Sequence, residues 1–224
     1  MTTICHFDAS AYTHSRIRRV AFASCFVYSP AGTGVVSERS RALRELLKAG
    51  EARSLFLYAN HVRREVAANA ALAEFLRPNS VLVPVPGRAP CVPDERSLAE
   101  RLATALIRNG LGQRVWLGLK RVHRVRKSAT APPGLRPTVE DHYQSFGIEP
   151  GVTPPARIVL VDDVVTKGRT LLAAAICLRE AFPFSEIRAF ALMRTLGYCQ
   201  GIHKLVDPCV GEIRWRAGDA HRSP

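Results

Sequence analysis

The chain has 224 residues, 47% of them hydrophobic, which is enough to bury one sizeable core with a small appendage. Lys and Arg outnumber Asp and Glu by 32 to 19, so the formal net charge is +13 and the favoured partners are polyanions or small phosphorylated compounds. No apolar stretch reaches the roughly 18 residues of a membrane span, and the N-terminus has no signal-peptide core, so a cytoplasmic protein without a membrane partner is expected. The arginines are spread along the chain with few interleaved aromatics and no helix-turn-helix or finger spacing, which argues against a dedicated nucleic-acid domain. Six cysteines include no CxxC pair, and Cys5, His6, His14 and Cys25 fit no compact metal frame, so free thiols in a reducing compartment are expected.

In chain order, "RVAFASCFVY" from Arg19 to Tyr28 is β-branched and aromatic and predicts a strand closed by Pro30 and "AGTG". "SERSRALRELLKAG" has apolar residues at 42, 43, 46 and 47 and ends on Gly50, the spacing of an amphipathic helix with Ser37 as its cap. A longer helical pattern runs from Ala52 to Leu76 and stops before Pro78. "SVLVPVPG", residues 80 to 87, is a short continuous apolar run that fits a buried parallel strand reaching a loop. "DERSLAERLATALIRNG", residues 94 to 110, has an acid-rich first turn and closes on Asn109 and Gly110, which predicts a helix.

Residues 120 to 138 carry six Lys or Arg and three prolines without an apolar period, and are expected to form a mobile basic loop. "ARIVLVDDVV" predicts a second buried strand, "TLLAAAICLREAF" a helix and "EIRAFALM" a further strand. Alternating strands and helices imply an α/β fold, a Rossmann-like parallel sheet flanked by helices with right-handed crossovers. The last residues, "RAGDAHRSP", are expected to be a loosely held tail.

The chemistry concentrates at "RIVLVDDVVTKGRT". Ligands of parallel sheets sit beyond the carboxyl ends of the strands, and Asp162 and Asp163 fall at that end. Successive strand residues point to opposite faces, so the two acids cannot form one dyad unless the backbone turns. Paired carboxylates suit a divalent metal or the adjacent hydroxyls of a ribose. Thr166 to Thr170 then lead into a helix start, where free N–H groups and the dipole favour a phosphate. The hydroxyls of Thr166 and Thr170 add donors, and Gly168 permits close backbone approach. Ribose hydroxyls beside a phosphate describe a ribose 5-phosphate group. The competing structural reading is that the two acids merely cap a helix whose first turn is Thr166 to Thr170.

"VLVDDVVTKGRT" resembles the phosphoribosyl diphosphate motif of type I phosphoribosyltransferases: an apolar strand, two acids, two apolar residues and a T-x-G-x-T loop. The wider chain, roughly residues 40 to 195, is similar to the ComF-like branch through "VLVPVPGR", "SLAERLATAL" and "LKRV" to "RPTVEDHYQSF". The resemblance implies the type I fold, with a variable hood segment over 1–60, a core over 61–198 and a C-terminal hood strand and tail over 199–224. It implies that Asp162 and Asp163 hold the ribose hydroxyls, directly or through Mg2+. It places the 5-phosphate on Thr166, Lys167, Gly168, Arg169 and Thr170 and the pyrophosphate beside Pro86, Gly87 and Arg88, with Arg121 and Lys127 of the basic loop closing over it.

The partners so implied are phosphoribosyl diphosphate, an acceptor that the sequence does not identify, and a second copy of the chain, dimers being common in that family. Three features depart from the pattern. Lys167 and Arg169 stand where small or hydroxylic residues are usual and add positive charge. Thr166 occupies the place of an acid in purine-salvage members, which disfavours hypoxanthine or guanine transfer. "PDERS" replaces an "RGFNQ"-like stretch, and the zinc ribbon is absent.

Three functional classes follow. The first is a transferase moving phosphoribose to a nitrogen acceptor, and the second a non-catalytic donor-binding protein acting through a partner in DNA uptake or processing. The third is direct nucleic-acid binding by the basic loop and the N-terminal arginines. No Ser/His/Asp or Cys/His nucleophile arrangement is evident; Cys91 reads as an inert thiol and the seven histidines as surface or packing residues.

Overall fold

A computed structural model of the chain describes residues 18–90, 95–126, 136–149, 155–197 and 199–224. Seven strands form one mostly parallel sheet in the order β3-β2-β6-β7-β1-β8-β9. They are β1 (Arg19–Tyr28), β2 (Val81–Pro84), β3 (Arg114–Val115), β6 (Arg157–Val165), β7 (Glu186–Thr195), β8 (Val206–Arg216) and β9 (Asp219–Ser223). The first five in that spatial order are parallel, and β8 and β9 add an antiparallel edge. A separate pair, β4 (Leu119–Arg121) and β5 (Phe146–Ile148), is antiparallel.

Strand alternation explains why the central runs are apolar at every position. Val81, Val83, Ile158, Leu160 and Ala189 face one core together with helix α6 (Arg169–Ala181) and Tyr143 of α5 (Val139–Gln144). Leu82, Val159, Val161, Phe190 and Leu192 face the other, against α2 (Ala52–Ala68) and α4 (Leu98–Arg108). Both faces of the sheet are therefore covered, the condition for a parallel sheet. Helix α1 (Val35–Ala49) buries Leu47 in the second core.

Several expectations are corrected. The helical pattern from Ala52 to Leu76 breaks at Asn69, whose backbone is extended and whose side chain accepts from Leu72 N at 3.1 Å to open the short α3 (Ala70–Ala73). Helix α1 begins at Val35 after Gly34, so Ser37 lies inside it. Helix α4 starts at Leu98, capped by Ser97, not in the acid-rich turn. Residues 120 and 121 are not loop but part of β4, paired with Gly147 and Phe146.

The C-terminal residues are not a loose tail. Ala217 and Gly218 both have positive φ, 48° and 80°, and join β8 to β9 as a two-residue hairpin turn whose handedness matches the strand twist. Strand β1 lies between β7 and β8, so residues that the sequence division assigns to the segment 1–60 form the middle of the same sheet. Among the described residues, no helix is long and apolar enough to cross a membrane.

The hairpin packs against the loop after β6. Gly168 has φ 86°, and a Cβ there would lie 2.6 Å from Ile213 Cδ1. Gly168→Ala therefore combines backbone strain with a core clash and is expected to destabilise the protein by about 2–4 kcal/mol, read as a lower urea midpoint at unchanged slope.

Candidate functional site

The site arises from a mismatch in strand length. β2 pairs with β6 only as far as Pro84 opposite Val161, followed by one further bond from Val85 N to Val161 O at 2.9 Å. β6 continues beside β7 to Val165 opposite Arg194. Asp162 and Asp163 thus lie just past the point where β2 leaves the sheet, on a ledge walled by the Pro86–Arg88 loop. The strand does not turn between the acids, and Asp163 N donates to Asp162 Oδ1 at 2.9 Å. Burial, and then the neighbouring Asp163 charge, hold the Asp162 carboxyl well above the usual carboxylate range.

A cleft of ≈ 420 Å³ is lined by Pro86, Gly87, Arg88, Arg121, Asp162, Asp163 and Thr170, together with Arg126 and His142. A second cleft of ≈ 370 Å³ is lined by Thr166, Lys167, Gly168, Arg169 and Thr170, with Arg136, His142 and Asp162. Asp162, His142 and Thr170 belong to both walls. All the expected site residues but one are thereby brought onto two adjoining cavities; Lys127 lies outside the described residues, as does Cys91.

Arg121 is not a flap residue. Its side chain is buried at 4% exposure and donates from Nε to Gly87 O at 2.8 Å and from Nη2 to Pro86 O at 3.2 Å. Nη1 reaches Ser145 Oγ and, at 3.4 Å, His142 O, while the guanidinium lies 4.0 Å over the Phe146 ring. Burial lowers its pKa to about 10, so it stays charged at neutral pH. The expectation that Arg121 closes over a ligand is corrected: its donors face main-chain carbonyls and the Ser145 hydroxyl, because β4 carries it into the core.

The Arg88 carbonyl is bound in the same manner by Val125 N at 2.8 Å. Each peptide carbonyl points opposite the N–H of its own unit. With the carbonyls of residues 86 to 88 turned towards the 121–125 segment, the N–H groups of Gly87, Arg88 and Ala89 turn to the other side of the loop.

The Thr166–Thr170 loop is held from behind. Helix α6 begins after Gly168 with no side-chain cap, which leaves its first N–H groups for a ligand. Lys167 Nζ meets Asp219 Oδ2 at 3.0 Å, and Arg169 forms a two-point pair with the same carboxylate at 2.5 and 2.6 Å while donating to Pro137 O at 2.9 Å. These contacts hold the Asp219 carboxyl well below its ordinary range, with the Arg169 hydrogen bond the largest cause. The two unexpected cations therefore serve a clamp from β9, and their charge is partly neutralised there. Arg222 adds bonds to Thr166 O at 2.7 Å and Thr195 O at 2.6 Å.

The residues that sequence reasoning missed are Asp219, Arg222 and His142. Nothing local announces them. Asp219 is 50 positions from Arg169 and comes to it only through the β8–β9 hairpin.

A magnesium ion would fit the acid pair by the chemistry of its donors. The described residues contain no group of three or more His, Cys, Asp or Glu arranged to hold a metal. Two carboxylates alone suit a hard cation that shares its coordination with substrate phosphates and water.

No family model and no curated protein matches the sequence. Solved structures with a partial likeness include a hypoxanthine phosphoribosyltransferase from Staphylococcus aureus, at 10% identity over 67% of this chain and 70% of that one, TM-score 0.39. Adenine phosphoribosyltransferases from Leishmania tarentolae and Leishmania donovani show 15% and 13% identity, with TM-scores of 0.35 and 0.34. The first covers 83% of this chain and 87% of its own, the second 88% of each. All three are phosphoribosyltransferases.

The raised Asp162 pKa has a thermodynamic consequence. The folded state holds this proton more tightly than the unfolded chain, so ionisation penalises folding as pH rises above about 3.9. Asp162→Asn keeps an oxygen for Asp163 N and removes the charge. It is expected to raise the thermal midpoint at pH 7, and the gain is expected to vanish below about pH 4.

Proposed function

We propose that the chain binds 5-phosphoribosyl 1-diphosphate with Mg2+ and transfers phosphoribose to a nitrogen acceptor, with inversion and release of pyrophosphate. The observation that carries this reading is the meeting of Asp162, Asp163, Thr170 and the Pro86–Arg88 loop on one cleft that shares Asp162, His142 and Thr170 with the Thr166–Thr170 cavity. The two carboxylates accept hydrogen bonds from the ribose 2- and 3-hydroxyls, and the start of α6 receives the 5-phosphate. The N–H groups of Gly87 and Arg88, with the Arg88 and Arg126 side chains, receive the diphosphate. Bound magnesium would be held by Asp162 and Asp163 and would offset charge on the departing pyrophosphate.

The bond that breaks is C1–O to the diphosphate, whose electrons leave with pyrophosphate. The bond that forms joins C1 to the acceptor nitrogen, which loses its proton to solvent. Rate comes from holding donor and acceptor in line and from cations placed where charge collects. The sequence resemblance supports assignment to the ComF-like branch.

Pyrophosphate release should appear when the protein, Mg2+ and donor are mixed with a panel of bases and amines, and Asp163→Ala should lower it by about 100-fold or more, about 2.7 kcal/mol. Tight donor binding without turnover on any acceptor would instead establish a non-catalytic donor-binding protein.

A second reading, contact with nucleic acid, is favoured by a cavity of ≈ 510 Å³ lined by His123, Arg124, Arg126 and Arg136 beside the donor clefts. If three arginines there meet phosphates, oligonucleotide affinity should fall about 40-fold between 50 and 200 mM salt, following a slope of roughly −0.9 per contact. A salt-independent affinity would rule it out.

A further inference from the structure

We propose that His142 is a positioning residue for the phosphate loop: its imidazole donates Nε2–H to the Thr170 hydroxyl and so aims the threonine's own O–H at a bound phosphate. The inference rests on the reading of Thr166 to Thr170 as a phosphate cradle, and it assigns to that cradle a residue that neither the sequence pattern nor the donor chemistry requires.

His142 sits on α5, a short helix fixed at its start by a reciprocal capping pair, Thr138 Oγ1 accepting from Asp141 N and Asp141 Oδ2 from Thr138 N. Its carbonyl accepts from Ser145 Oγ at 2.6 Å, at the end of the same helix, and from Arg121 Nη1 at 3.4 Å, so the backbone under the ring is anchored to β4. The residue is 7% exposed, and its ring forms part of the wall between the two clefts. Nε2 lies 3.4 Å from Thr170 Oγ1, while Nδ1 is buried without a hydrogen-bond partner among the described residues.

The charged groups about the ring are Arg121 from β4, Arg169 from α6 and Asp141 from its own helix, with Asp162 of β6 lining the same clefts. Burial and then the Arg121 charge lower its pKa to about 4, so the ring is neutral under ordinary conditions.

A neutral imidazole carries one N–H. Placing it on Nδ1 would bury a donor with no acceptor, which native structures rarely tolerate, whereas a bare Nδ1 lone pair is tolerated more readily. The proton therefore belongs on Nε2, and Thr170 Oγ1 accepts it. A hydroxyl that accepts through a lone pair keeps its hydrogen for another partner. Thr170, the second residue of α6, then adds an O–H donor to the N–H groups at the helix start. With the opposite tautomer the Thr170 hydroxyl would spend its hydrogen on the ring.

The test reads the tautomer and the coupling separately. Nitrogen-15 shifts of labelled histidine in the ligand-free protein should show His142 as the Nε2–H tautomer from pH 5 to 8. Calorimetry with ribose 5-phosphate should show His142→Phe weakening binding about tenfold, Thr170→Val doing the same, and the double variant losing no more than either. His142→Gln, whose amide nitrogen reaches the Nε2 position, should restore binding to within about threefold. An Nδ1–H tautomer, additive losses, or a Gln variant as weak as Phe at equal thermal midpoint would overturn the proposal. Wild-type protein that binds ribose 5-phosphate while His142→Phe binds it equally sinks this inference alone. Wild-type protein that binds neither ribose 5-phosphate nor phosphoribosyl diphosphate sinks the cradle reading, and this inference with it.

Discussion

A strand buried on both faces can carry carboxylates only where a neighbouring strand has ended, and this constraint organises the molecule. Up to Val161 every residue of β6 after Arg157 is buried between two cores, an environment that would impose several kcal/mol on an unpaired charge. β2 stops pairing at that residue, and Asp162 and Asp163 are partly exposed at once. After the bond from Val85 N to Val161 O the chain leaves β6 at Pro86 and enters the Pro86–Arg88 loop. The end of that pairing creates the opening that two acids in the neighbouring strand require.

The same edge is braced from two directions. In front, Arg121 gathers the carbonyls of Pro86 and Gly87 and turns the opposite N–H groups outward. Behind, the β8–β9 hairpin supplies Ile213 against Gly168, Asp219 against Lys167 and Arg169, and Arg222 against Thr166 O. A lone exposed ion pair contributes little, but a carboxylate held at two points by a guanidinium and by a lysine is a connected, partly buried network. The loop therefore has its backbone geometry set before any ligand arrives, which spares part of the ordering cost of binding.

Legibility in the sequence follows how local the determining physics is. β1, β2, β6 and β7 were readable because a strand buried on both sides must be apolar at each position, and α6 because its apolar run starts beside a glycine. Within 199–224 the resemblance implied one hood strand and a tail, and the pairing of β8 with β9 was not readable, since an antiparallel edge with one half-solvated face mixes residues such as Val206, Asp207, Glu212 and Arg214, and Ala217 is an unusual residue at positive φ. Arg121 stood in a run of cations and read as loop; only the arrival of Ser145 and Phe146 through β5 makes its burial intelligible. The Asp162–Thr170 motif was legible as a set of residues, whereas the partners that hold it, Asp219 and His142, lie 50 and 28 positions away from the loop residues they touch and belong to tertiary structure alone.

The polarity of the cleft runs in a fixed order. At its centre Asp162 and Asp163 offer acceptors, and the raised pKa of Asp162 marks a carboxylate whose charge the protein itself leaves poorly compensated. On one side lie the outward N–H groups of the 87–89 loop with Arg88 and Arg126, and on the other the uncapped start of α6 with Thr170. A compound with a phosphate at one end only would leave one donor cluster unmatched, and a polyphosphate without hydroxyls would set anions against the two acids. Hydroxyl groups in the middle and phosphates at both ends satisfy all three zones at once. A sugar phosphate bearing a diphosphate at the far carbon has that order of charge, and this supports the proposed donor over a nucleic-acid backbone or a simple phosphate ester.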